Sequence, residues 1–100
     1  MKPIILSADA DRYVYQVPND VADHLYDYCM AFLNWLNDTP EADSYRHISK
    51  SGTLYLAYNE ADFIQYLNRW IFPNEPSTLV ENIGFQKIPA QYKGCPKFNF

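Results

Sequence analysis

One hundred residues with a net charge of −4, 48% apolar and 17% aromatic, allow one domain with a single core. That balance disfavours nucleic acid or an anionic membrane as a partner and favours a basic protein surface. Two cysteines without a CxxC pair are too few for a disulfide framework or a zinc spacing, and no run approaches the ~18 apolar residues of a membrane span.

The charge is uneven. Residues 1–43 carry eight acids against Lys2 and Arg12, whereas residues 83–100 carry Lys87, Lys93 and Lys97 and no acid. Pro3 to Leu6 is a short apolar run that gives way at once to Ser7-Ala8-Asp9, which is not the layout of a signal peptide. A reducing cytoplasm is the expected location.

Ile4–Ala8 and Tyr13–Val17 read as two strands joined by an Asp9-Ala10-Asp11 turn, a first hairpin. Pro18 ends it. Asn19 or Asp20 then caps a helix running from Asp20 to Asn37, with acids in its first turn to match the dipole. Its inner stripe is Val21, Leu25, Cys29, Phe32 and Leu36, and its outer face carries Asp20, Asp23, His24, Asp27, Asn34 and Asp38. After a polar loop, Tyr45–Ser49 and Thr53–Tyr58 form a second hairpin around Lys50-Ser51-Gly52.

Asn59 is the N-cap of the next helix, with Glu60 and Asp62 in its first turn. Phe63, Ile64, Leu67, Trp70 and Ile71 make one stripe of 3.6-residue period, which places Trp70, like Phe32, in the core. Pro73 and Pro76 stop this helix. Ser77–Ile83 reads as a short helix ending at a left-handed Gly84, with a strand through Leu79–Ile83 as its rival. Phe85–Ile88 reads as a strand and Pro89–Pro96 as irregular. Phe98 and Phe100 alternate on one face of a terminal strand that is pinned to the core. The expected architecture is α+β: a small single domain spanning residues 1–100, with an antiparallel sheet of about four or five strands and two main helices packed on one face.

Chemistry is harder to find. Asp9-Ala10-Asp11 lacks the further oxygen ligands and the distal glutamate of a calcium loop. His24 lies one turn from Asp20 and from Asp27, a spacing that surface ion pairing explains. His47 has no local partner, and Cys29 falls on the buried stripe, where a thiol is inert. There is no phosphate loop, GxGxxG, HExxH or GxSxG, so no catalytic residue, metal or cofactor is assigned.

The leading expectation is a small acidic cytoplasmic protein-binding module. An immunity- or antitoxin-type inhibitor that occludes a basic partner is the sort of protein meant. Asp20, Asp23, Asp27 and Asp38 would steer the partner, with Tyr26 and Tyr28 as anchors. Two alternatives stand beside it. One is a small enzyme or ligand-binding domain with a pocket between sheet and helices near His24, His47 and Tyr58. The other is a homodimeric structural subunit that buries its aromatic surplus.

Overall fold

The computed structural model describes residues Met1–Phe100. Two strands, β1 (Lys2–Ser7) and β2 (Arg12–Val17), pair antiparallel with Ile4 opposite Tyr15 and Leu6 opposite Tyr13. Asp9 takes the left-handed conformation in the turn between them (φ 57°), which aspartate adopts more readily than most residues. The two-residue period puts Ile4, Leu6, Tyr15 and Val17 on one face and Ile5 and Val14 on the other.

The helix expected from Asp20 to Asn37 is two helices, α1 (Asn19–Asp23) and α2 (Leu25–Asp38), broken at His24 (φ −133°, ψ 42°). The break redirects the chain, so that α1 packs on β1 while α2 packs on the elements that follow it. Val21, Leu25, Cys29, Phe32 and Leu36 are nevertheless all buried, so the apolar stripe passes through the break without a gap. At the far end of α2, Arg46 supplies what the last turn lacks. Its Nη1 donates to Leu36 O (2.6 Å) at the helix end, and its Nη2 to Thr39 O (2.8 Å), which also accepts from Ala42 N–H (3.0 Å). A 3₁₀ segment, Pro40–Tyr45, brings Arg46 back into reach.

The second hairpin forms as read, from β3 (Arg46–Ile48) and β4 (Leu54–Leu56), with Gly52 at φ 85° in its turn. It stays a separate two-stranded sheet. Its strands are three residues long, and its cross-strand pair Ile48 and Leu54, 73% and 62% exposed, leaves its apolar surface open instead of packed on the main sheet.

Asn59 caps α3 (Glu60–Tyr66) as expected, in a reciprocal box. Asp62 N–H donates to Asn59 Oδ1 (3.2 Å) and Asn59 N–H to Asp62 Oδ2 (2.9 Å). The helix then widens into a π turn, Leu67–Ile71, closed by Phe72 N–H donating to Leu67 O five residues back (2.7 Å). The extra residue puts the stripe out of phase. Leu67 is fully buried, but Trp70, expected in the core, is 43% exposed, and Phe72 turns in against Tyr28 with ring centroids 6.0 Å apart.

Ser77–Ile83 is not a helix; the rival strand forms as β5 (Thr78–Gly84), antiparallel to β2. Asn68 sets its start by bonding both sides of the Ser77 backbone, accepting from its N–H (2.6 Å) and donating to its carbonyl (3.0 Å). Val80 and Ile83 are extra residues in the register with β2, two bulges on an edge strand. Gly84 does take positive φ (66°), at a strand end rather than a helix end. Phe85–Ile88 is a bend instead of a strand. It leads into a 3₁₀ turn at Ala90–Tyr92, and Ile83, Ile88, Tyr92 and Cys95 pack against Ile5 and Val14 on the face away from the helices.

The last strand, β6 (Lys97–Asn99), pairs with β1 in parallel, Leu6 opposite Phe98, so the four-stranded sheet β5-β2-β1-β6 is mixed rather than purely antiparallel. Its end is clamped. Ser7 Oγ donates to Asn99 Oδ1 (2.8 Å), and Asn99 Nδ2 donates to Asp9 Oδ1 (2.7 Å). Phe100 sits edge-on to Phe32 at 5.9 Å, so the tail is pinned by aromatic packing as the sequence suggests. The molecule is thus a small α+β fold, with both helical stretches packed against the Ile4, Leu6, Tyr15, Val17 face.

Candidate functional site

The acidic residues singled out in the sequence do not share one helix. Asp20 and Asp23 lie on α1, Asp27 and Asp38 at opposite ends of α2. Asp20 accepts a short hydrogen bond from Tyr28 Oη and lies 3.3 Å from His24 Nδ1. The bond to Asp20, before desolvation, pushes the Tyr28 phenol up to about 12. Asp23 pairs with Lys2 Nζ at 2.6 Å. Asp27 and Asp38 enter no ion pair. Ten residues of α2 lie between them, a distance of about 16 Å at the usual rise, with Ala31 and Asn34 exposed in between. The outward column is therefore two clusters. Tyr26 is 66% exposed with its ring 6.3 Å from Phe98, whereas Tyr28 is half-buried and committed to Asp20 and Phe72.

No cavity is lined by His24, His47 or Tyr58. His47 stacks on Tyr55 in the second hairpin (5.4 Å, 26°), and Tyr58 packs edge-on against Phe32 and Phe100. Cys29 is fully buried and desolvation pushes its thiol up to about 12. No three His, Cys, Asp or Glu side chains come together to hold a metal ion.

The structure assembles a different site. A hollow of about 260 Å³ opens where the end of α2, the 3₁₀ segment and the π turn meet. The Trp35 ring, from the last turns of α2, is its centre. Tyr66 from α3 stands 5.2 Å from it, Tyr45 from the 3₁₀ segment 6.2 Å, and Trp70 from the π turn 6.2 Å, centroid to centroid. Glu41 and Arg69 complete the rim, with the guanidinium 5.0 Å from the Trp70 ring centroid. Burial raises the Tyr66 phenol. It also raises that of Tyr45, where nearby Asp62 adds to the effect and Arg69 opposes it.

Sequence periodicity missed this socket for two reasons. Trp35 lies off the inner stripe of α2, and the π turn that swings Trp70 outward leaves no mark in a 3.6-residue pattern. The available signal was surplus: Trp35 and Tyr45 are large rings that neither stripe requires. The hollow is smaller than the roughly 300–1,000 Å³ of small-molecule sites and suits a single inserted side chain.

Comparison with family models, with curated proteins and with solved structures returns no match. No helix is long and apolar enough to cross a membrane.

Proposed function

We propose that the protein is a protein-binding module for a basic partner, with the aromatic socket as the centre of the contact. One observation carries this reading. Trp70 belongs to the strongest apolar stripe in the sequence, yet it stands 43% exposed beside Trp35, Tyr45 and Tyr66. Tryptophan, tyrosine and arginine dominate binding energy at protein interfaces, where they sit in pockets of single-side-chain size. The surroundings supply the charge. Asp38 and Glu41 lie on one side, at the negative end of α2, whose last turn has no basic residue. Asp27 and Tyr26 are exposed at its other end. The carboxylates Asp20, Asp23, Asp27 and Asp38 act as a steering field rather than as anchors, which supports a basic partner. An inhibitor of the immunity or antitoxin type, occluding a basic surface, is the specific form of this proposal.

The test takes a partner recovered at low ionic strength and measures its affinity by calorimetry. Trp70→Ala should weaken it at least ~30-fold, the range of interface hot spots. Asp27→Lys with Asp38→Lys should slow association and flatten its salt dependence. Unchanged affinity and salt slope in both variants would move the interface elsewhere.

The exposed pair Ile48 and Leu54 favours a second reading, self-association through the second hairpin. Mass in solution separates the two, and a dimer broken by Ile48→Lys would put the homodimer first.

A further inference from the structure

We infer that the aromatic socket holds the ammonium head of a lysine side chain from the partner. The inference rests on the protein-binding reading for the source of that lysine, and it names the chemistry of the group inserted. Trp35, Tyr45, Tyr66 and Trp70 all line the one hollow of about 260 Å³, and Trp35 and Trp70 are the only tryptophans of the chain. An aromatic ring is negative over its face and positive at its edge. It therefore attracts a cation held within about 6 Å of its centroid, tryptophan most of all.

The ring angles choose between cations. The planes of Tyr45, Tyr66 and Trp70 incline at 59°, 53° and 46° to that of Trp35. Walls so tilted make a cup, whereas the flat guanidinium of an arginine stacks best in a parallel slot. A compact ammonium on a narrow aliphatic stem fits the cup, with its methylenes against the rings.

The charge agrees. The elements that form the hollow carry Asp38, Glu41, Asp43, Glu60 and Asp62 against Arg46 and Arg69. Arg46 is turned to Asp43 and to the carbonyls of Leu36 and Thr39. At the Tyr45 phenol the effect of Asp62 outweighs that of Arg69. Glu41 is exposed on the rim and pairs with no cation of the chain, so its carboxylate is free for an incoming ammonium. Arg69 is the one cation lining the hollow, and its guanidinium already lies over Trp70, 5.0 Å from the ring centroid. That indole thus accepts a cation, while no cation of the chain lies over Trp35, Tyr45 or Tyr66. Arg69 is exposed, and it competes with the incoming lysine for Trp70.

Nα-acetyl-lysine amide is the probe, titrated at constant ionic strength into the full chain and followed by tryptophan fluorescence. The signal should saturate. The norleucine counterpart, which keeps the stem and lacks the ammonium, should bind at least about fivefold more weakly. Glu41→Gln should weaken the lysine probe about threefold or more. Arg69→Gln should tighten it about twofold or more, a sign that a merely structural role for Arg69 does not predict. Norleucine binding as well as lysine would overturn the ammonium, and arginine or glutamate amides binding as tightly would overturn the choice of lysine. Weakening by Arg69→Gln, or an equal effect of Asp27→Asn at the far end of α2, would overturn the site. If the probe fails while partner affinity still depends on Trp70, the inference falls and the protein-binding reading stands. If the probe binds while partner affinity ignores Trp70→Ala, that reading fails, and with it the partner as the source of the lysine.

Discussion

Tyr28 and Cys29 are adjacent, and both resist ionisation for different reasons. The Tyr28 phenol gives its hydrogen bond to Asp20, while Cys29 is sealed inside the core; each is pushed up to about 12. Both folded values lie above the ordinary 10.0 and 9.0. The stability they contribute is complete below those ordinary values and is lost as pH rises through the folded ones. The urea midpoint should fall as pH climbs from 9 towards 12, and Cys29→Ala should flatten the first part of that fall. At pH 8 a thiol reagent should label Cys95, which is half-buried, and spare Cys29 until the protein unfolds. Equal labelling rates would place Cys29 outside the core. Two aromatic residues make a second contrast. Phe32 is fully buried and touches the rings of Trp35, Tyr58, Phe63, Tyr66 and Phe100. Phe32→Ala should cost about 3–5 kcal/mol in a denaturant titration. Trp70→Ala, half in solvent, should cost about 1 kcal/mol or less. Equal losses would return Trp70 to the core.

The elements that short-range chemistry dictates were legible. Both hairpins, the Asn59 cap and the buried stripe of Val21 to Leu36 rest on neighbours within a few residues; the pinned tail was legible from its two phenylalanines, although its contacts lie far back in the chain. What was not legible depends on distant contacts. The break at His24 leaves the stripe intact, so periodicity cannot report it. The π turn inserts one residue without a glycine or proline to announce it. Leu79–Ile83 suits either a strand or a short helix, and Asn68, nine residues upstream, decides for the strand by holding Ser77. The aromatic socket was hidden for the same reason, because it joins three elements and one of them contains the π turn. The acidic residues were read correctly as exposed, but their grouping required the helix break. A test at this scale is removal of Lys97–Phe100. It strips β1 of its parallel neighbour and takes Phe98 and Phe100 from the aromatic cluster. The truncated chain should lose its cooperative melting transition, as seen by near-ultraviolet dichroism. A normal melt would show that the core closes without them.

The molecule measures 45 × 32 × 18 Å with a radius of gyration of 14.3 Å, larger than the ~13 Å usual for a hundred residues. The second hairpin, outside the main sheet, is consistent with that excess length. Its amides should therefore exchange with solvent far sooner than those of β1 and β2, as followed by mass spectrometry of deuterium uptake. Equal protection would mean that something covers Ile48 and Leu54, most simply a second copy. The parallel pairing of β1 with β6 governs how the fold comes to be made. Residues 2–7 leave the ribosome long before residues 97–99, with which β1 pairs. Until then β1 has one bare flank and the ring of Phe100 is missing from around Phe32. Contacts that span nearly the whole sequence are slow to form, since the loop they close is long. During synthesis the growing chain must hold an incomplete sheet, with an open edge ready to pair with a neighbour on the same messenger. Residues 97–100 thus act as a latch, and the bare flank of β1 is covered when it closes.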